Sequence, residues 1–360
     1  MGSKIIMKFS IKLFLLLFAF NNLILGLISG LGRMGWDVPI PEVYVHHGAI
    51  MVGGFLGSLI ALEKIIPLKN YGFLIGPLFS ASSILVFIAG PFQYAVAMII
   101  LASLILVFVY ATYLKKQYSL YLLLAMIGAI CWLIGNVLLL WKYFYPLVFP
   151  WWMGFLLFTI VSERLELTKF LPVSQMNKNS LIALLCVFII GITLPFHGMG
   201  TYITGLSLII ISIWLMRYDV IRLTIRKSGL TRFTGIALTC GYVSLMLVGV
   251  FLFILRDTAF GYDIVVHTFF LGFIFSMIFA HGPIILPGVL GLTVKPYHPL
   301  FYIPLIILYA SLIIRVATDA MLVPFFLRSV SGWISFAGIL FYFVLLLTST
   351  VRTIRDESTN

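Results

Sequence analysis

The chain has 360 residues, 62% of them hydrophobic and only 9% charged, with a mean hydropathy of +1.17. A soluble domain carries roughly a quarter charged residues, so a water-soluble globular protein is excluded. The net charge of +12 could suggest a nucleic-acid partner, but the basic residues are distributed as membrane loops require, and no nucleic acid is expected.

Apolar runs fill the chain from end to end, with no long polar linker or low-complexity tract. A single integral membrane domain over residues 1–360 is expected. In lipid only helices and closed barrels satisfy every backbone group, and the runs are continuous rather than alternating, which excludes barrel strands. The fold class is therefore all-α, a polytopic membrane helical bundle. A bilayer core takes about 20 apolar residues per helix. On that measure spans are predicted near 5–28, 43–63, 72–89, 93–114, 119–140, 147–162, 180–196, 201–217, 233–255, 263–282, 300–317 and 331–351. The first resembles a signal peptide in its Lys4, Lys8 and Lys12, but Asn21 and Asn22 are followed by more apolar residues rather than a cleavage site. It is read as an uncleaved helix. The turn between the seventh and eighth spans, with Pro195, Gly198 and Gly200, is short.

Twelve spans with a cytoplasmic N-terminus put Lys4, Lys8, Lys12, Lys64, Lys69, Lys115, Lys116, Arg164, Lys169, Lys178, Arg217, Arg222, Arg226, Lys227, Arg232, Lys295, Arg352 and Arg355 inside. Arg33, Lys142, Arg256, Arg315 and Arg328 fall outside. The split is 18 against 5, the bias of an inside-positive topology, with both termini cytoplasmic and the cell (inner) membrane as the expected location. The lipid bilayer is the first expected partner, its acidic leaflet facing the basic 217–232 loop. Cys131, Cys186 and Cys240 lie singly in apolar spans, without a C-x-x-C pair, and are read as packing residues.

Against an apolar background the informative residues are the ionisable ones inside the membrane. Of the six histidines, His46 and His47 lie about one turn inside the outer end of the second span, and His267 lies one turn after Asp263 near the outer end of the tenth. Two histidines at one depth on different helices suit a six-coordinate haem iron, one imidazole per axial position. A structural or hydrogen-bonding role is the competing reading. Gly53, Gly54 and Gly57 follow His47, and Gly272 and Ser276 follow His267. Small residues admit a flat macrocycle or simply another helix. Met51, four residues after His47, either lines a haem edge or packs. His281 lies 14 residues beyond His267, roughly 21 Å along the helix. It belongs to the other surface, near His298, as a second metal or proton site or as a capping residue. His197, in the outer turn, is a candidate to approach His46 and His47. Arg315, with Arg33, Arg256 and Arg328 on the outer side, is a candidate for the haem propionates, or for a salt bridge to Asp319 or Asp257. Glu163 and Glu166, beside Arg164 at the inner end of the sixth span, read as interfacial residues.

The segment His47-Gly48-Ala49-Ile50-Met51 resembles the H-G-x-x-M segment of subunit I of haem–copper oxidases, and the tenth span, with Asp263, His267, Gly272, Pro287 and Gly291, is similar to that family's tenth helix. The resemblance implies a low-spin haem held by His47 and His267 in a twelve-span bundle. Val265 stands where the oxidases carry a high-spin haem histidine, and the sixth and seventh spans hold no copper histidines before His197. Pro41-Glu42-Val43-Tyr44 mimics part of the copper motif, but Ile40 replaces its histidine. Oxygen reduction is therefore not expected. The chain also resembles the NnrS family of haem-containing (and reportedly copper-containing) membrane proteins linked to nitric oxide, through His46/His47, through His267 with Gly272, and through Ile314-Arg315-Val316. It lacks that family's H-x-H-E-M start and its T-R pair after the histidine helix.

The resulting expectation is a b-type haem protein with one bis-His haem near the outer face, acting in electron transfer or nitric-oxide-related redox sensing. His47 and His267 are the iron ligands, with His46, Arg315, Met51, Gly54 and Gly272 around them. Copper has no clear site, and a redox protein or quinol is the expected partner. If the chain is an enzyme, it is a membrane oxidoreductase other than a terminal oxidase. The alternatives are a haem-free twelve-helix transporter, against which stand the absence of a visible repeat and of mid-span charge, and an assembly protein for a respiratory complex.

Overall fold

A computed structural model describes residues 2–195, 198–322 and 325–359, and side chains for 11–40, 43–195, 198–322 and 325–356 of these. The described chain is mostly helical, without a strand among the described residues. Twelve helices are long and apolar enough to cross a membrane: Ile11–Arg33, Val43–Leu68, Tyr71–Ala89, Phe92–Lys116, Leu120–Lys142, Tyr145–Phe170, Gln175–Thr193, Met199–Tyr218, Gly229–Ile254, Gly261–Leu290, Pro299–Met321 and Phe325–Asp356. They are numbered spans 1 to 12. Each coincides with an expected span, but several run on past charged or proline-bearing ends. Span 6 continues through Arg164, and span 10 through Pro283 and Pro287. Apolar runs end where charge begins, whereas helical hydrogen bonding does not. The protein is thus a polytopic α-helical membrane protein.

The tight turn after span 7 is built on glycine: a Cβ on Gly200 would stand 2.6 Å from the Gly191 carbonyl. Phe196 and His197 lie outside the described residues, and so does the expected approach of His197 to His46.

Two histidine-bearing spans depart from α geometry at one place each. Span 2 opens as a 3-10 turn, Pro41–His46, passes through His47–Ala49, and then widens into a π-helix over Ile50–Gly57. Span 10 is α-helical over Gly261–His267 and π-helical over Thr268–Ile274. π-helical runs are rare and concentrate at functional positions. Burial singles out the same helices. The buried share of the apolar window is 72% in spans 2 and 6 and 61% in span 10, above every other span.

The contacts fall into two compact units, Met1–Ser162 with Gly288–Leu292, and Glu163–Pro287 with Thr293–Asn360. In the first, Asn22 of span 1 is fully buried and its Nδ2 donates to the Ala81 carbonyl at 2.7 Å. Ser80 Oγ donates to the Gly53 carbonyl at 2.5 Å, so polar side chains answer backbone groups where the ladder of span 2 is widened. A Cβ on Gly57 would run into the Trp132 ring.

In the second unit, spans 8 and 9 cross at Gly205 and Gly249. A Cβ on Gly249 would lie 2.5 Å from the Gly205 carbonyl, the close approach that small residues permit in lipid. Tyr309 of span 11 donates to the Gly272 carbonyl at 2.9 Å and meets Ser244 and Ser276 at 3.1 and 2.9 Å. Tyr342 of span 12 stacks on Phe279 with ring centroids 3.9 Å apart.

Candidate functional site

His47 begins the buried part of span 2. Its Nδ1 meets the Gly26 carbonyl of span 1 at 2.7 Å. A carbonyl only accepts, so the proton sits on Nδ1 and Nε2 is the basic nitrogen. The ring lies over Gly30, where a Cβ would come 3.0 Å from Cε1. Glycine at 30 therefore makes the room that the imidazole occupies. A metal-ligating histidine usually donates its second N–H to a carbonyl or carboxylate, and His47 is held in that way.

His46 turns to other neighbours. Its ring stacks on Phe92 at 4.6 Å and tilts against Phe87 at 5.2 Å. Its Nδ1 is buried and makes no hydrogen bond. The adjacent histidines thus differ in kind, one fixed by a backbone carbonyl and one clasped between aromatic rings.

Met51 and Gly54 are packing positions of span 2 against span 1. A Cβ on Gly26 would collide with Met51 Sδ, and a Cβ on Gly54 with Asn22 Oδ1. Gly272 faces Ser244, where a Cβ would stand 2.6 Å from Oγ.

His267 repeats the anchoring seen at His47. Its Nδ1 lies 3.0 Å from the Asp263 carbonyl and 3.2 Å from Asp263 Oδ1. Asp263 in turn gathers the outer arginines of its unit. Arg315 donates to it through Nε and Nη2 at 2.8 and 3.1 Å, the two-point pairing of guanidinium with carboxylate. Arg328 Nη2 lies 3.2 Å away, and its Nε is 2.8 Å from Asp319 Oδ1. Arg328 also covers the Phe260 ring at 4.6 Å.

Two expectations are corrected here. The carboxylate that engages Arg315 in two-point fashion is Asp263, not the expected Asp319 or Asp257, because Asp263 rises one turn before His267 on the facing helix. Asp257 pairs with its neighbour Arg256 at 3.0 Å. Two aspartates and two arginines thus meet in one cluster of this unit.

A second cluster, which shares only span 10 with the first, was not legible as a site. Arg164, counted among the cytoplasmic basic residues, is buried, 5% exposed. Its Nη2 meets His281 Nε2 at 2.5 Å, and its Nη1 lies 3.9 Å from Asp219 Oδ2. Tyr242 donates to the same Asp219 oxygen, and the Val220 amide donates to Oδ1 at 2.5 Å. His281 is thus engaged with Arg164; of the two readings for His281 and His298, a shared metal or proton site or capping and hydrogen bonding, the contacts are of the second kind. His298 Nδ1 caps the next helix by accepting from the Leu300 amide at 3.2 Å. Among the cysteines, Cys131 is buried and Cys186 is exposed, so Cys186 is not the packing residue expected. No group of three or more His, Cys, Asp or Glu side chains able to hold a metal occurs among the described residues.

The fold and these clusters define a class: a twelve-span helical membrane protein with buried ionisable groups near both ends of its spans. Residues 12–351 match the model of a domain of unknown function, DUF8744, and the chain belongs to that family. No curated protein and no solved structure matches it.

Proposed function

We propose that the chain is a b-type haem-binding protein of the cell membrane, with His47 and His267 as the axial ligands of one haem. It serves electron transfer or nitric-oxide-linked redox sensing, with a redox protein or quinol as partner. The observation that carries this reading is the common setting of the two histidines. Each opens one of the three most buried spans, each holds Nδ1 on a backbone carbonyl, and each leads into a π-helical stretch.

Spans 2 and 10 are both even-numbered, so both start from the same membrane face. The donor chemistry fits the cofactor. Two neutral imidazoles with basic Nε2 atoms are what a low-spin iron takes, and the Asp263 carboxylate behind His267 strengthens that ring as a donor. Haem there supplies one-electron exchange. His47 and His267 would hold the haem, with Gly26 and Asp263 fixing the orientation of the two rings. The similarity of the His47 and His267 helices to haem–copper oxidases and to the NnrS family supports the same assignment.

The test is a reduced-minus-oxidised absorption spectrum and iron analysis of the full-length protein, purified from cells supplied with haem precursor. A sharp reduced α-band that is lost in both His47→Ala and His267→Ala is the expected result. An iron-free protein, or a band that survives both substitutions, overturns it.

One observation favours a second reading, a haem-free carrier: the division of contacts into units that split the twelve spans almost evenly. Iron-free protein that moves a solute across reconstituted vesicles would select it.

A further inference from the structure

The cluster of Arg164, Asp219, Tyr242 and His281 is unrelated to the haem reading, and its chemistry can be worked out from its bonds. Guanidinium has five donors, no acceptor, and stays charged in proteins. Its Nη2 stands 2.5 Å from His281 Nε2, so Nε2 accepts and carries no proton. The other ring nitrogen, Nδ1, lies 2.7 Å from the Met277 carbonyl and must be the donor. His281 is therefore neutral, in the Nδ1–H form.

Asp219 is the opposite case. It accepts from the Tyr242 hydroxyl and the Val220 amide, with the Arg164 guanidinium nearby. The cluster thus joins the Arg164 guanidinium to a ring nitrogen of His281 on one side and stands it beside the Asp219 carboxyl on the other. Toward Asp219 the guanidinium stops short: its Nη1 is 3.9 Å away, beyond hydrogen-bond range, and its Nε is buried and makes no hydrogen bond.

We propose that these four residues form a proton-binding site, in which a proton taken up on His281 Nε2 releases Arg164 and drives its guanidinium onto Asp219. The new N–H bond forms at Nε2 with a proton from the aqueous phase. The Nη2–H···Nε2 hydrogen bond breaks, because two donors would then face each other. Arg164 needs to move only about 1 Å to close on Asp219.

Ionisable groups on the neighbouring spans have partners of their own. On span 12, Tyr342 donates to the Phe279 carbonyl at 2.9 Å. On span 11, Tyr309 is held by Ser244, Ser276 and Gly272. Glu163 precedes Arg164 on span 6. The element that moves links span 6 to the turn after span 8, so proton occupancy is converted into a change of partner between helices. Buried, paired ionisable groups inside a membrane are the ordinary material of proton relays.

The test is nitrogen NMR of the full-length protein in nanodiscs, labelled with ¹⁵N-histidine, with the His281 signal identified by its loss in His281→Gln. The expected signal near neutral pH is the Nδ1–H neutral form, converting to the charged form as pH falls. Removing the neighbouring cation in Arg164→Gln raises the midpoint of that conversion by about one pH unit, and removing the acceptor in Asp219→Asn lowers it by about one. Tyr242→Phe removes one hydroxyl, keeps the helix packing, and frees Asp219 for Arg164. It raises the midpoint even if the charge-changing variants fail to fold. An Nε2–H ring, a ring that does not titrate in the folded protein, or a midpoint unmoved by Tyr242→Phe overturns the proposal.

Discussion

Asp263 holds His267 and Arg315 at once. One carboxylate oxygen lies 3.2 Å from His267 Nδ1, and the other accepts from Arg315 Nε at 2.8 Å. A single side chain thus sets the ring of span 10 against the charge of span 11. Removing it leaves Arg315, 6% exposed, without its two-point partner. Losing one member of a buried ion pair costs about 3–5 kcal/mol. Asp263→Ala is expected to lower the thermal unfolding midpoint strongly in detergent, and Asp263→Asn, which still accepts one hydrogen bond, to lower it less. Equal, small effects in both variants would mean that the pair contributes nothing.

The two adjacent histidines are expected to separate cleanly. His46→Ala removes an imidazole stacked on Phe92 and is expected to leave haem content unchanged. His47→Ala removes the ring fixed by Gly26 and is expected to abolish it. Loss of haem in His46→Ala with retention in His47→Ala would exchange their roles.

Gly30→Ala offers a finer probe of the same ring. The added methyl comes 3.0 Å from His47 Cε1, tighter than ordinary van der Waals contact, so the imidazole must shift by a few tenths of an ångström. The protein is expected to fold, with a displaced α-band. An identical spectrum would place His47 outside the chromophore.

Helix packing is tested at Gly249. Valine there would press on the backbone carbonyl of Gly205, which cannot swing aside as a side chain can, and overpacking of this kind costs about 1–3 kcal/mol. Gly288→Ala is the control, since nothing lies within 4 Å of its Cβ position. Gly249→Val is expected to destabilise and Gly288→Ala to be neutral or slightly stabilising, as read by thermal melts.

Orientation can be read with single cysteines in a background lacking Cys131, Cys186 and Cys240. Both Ser228 and Asp37 are exposed. With a cytoplasmic N-terminus, Ser228→Cys is expected to react with an impermeant thiol reagent only after the cells are opened, and Asp37→Cys in intact cells. The reverse pattern would invert the topology.

The spans were legible because burial in lipid demands about 20 apolar residues each time, and this demand is written locally. The histidine clusters were only half legible. His47 and His267 stand out as lone ionisable groups in apolar helices, but their anchors, Gly26 and the Asp263 carbonyl, are backbone atoms that leave no mark on residue type. Arg164 was misread for a related reason. A basic residue near the cytoplasmic end of a span looks like any other topology determinant, and its partners Asp219, Tyr242 and His281 come from three other segments. One clue was present: Asp219 is the only acid in the otherwise basic 217–232 stretch. Arg315 shows the same limit, since the nearest acid in sequence, Asp319, drew attention away from Asp263, 52 positions back.

The π-helical runs carry a consequence for how these spans tolerate change. An α-helix advances about 100° per residue, and a π turn holds extra chain in the same rise. The bulge in Ile50–Gly57 therefore phases His47 on one side of it independently of Leu62 and Ile65 on the other. Deleting one residue within the bulge would let the segment relax to an ordinary α-helix with its distal half still in register. A deletion in a regular stretch such as Ser58–Ile65 would rotate every downstream contact by more than a quarter turn.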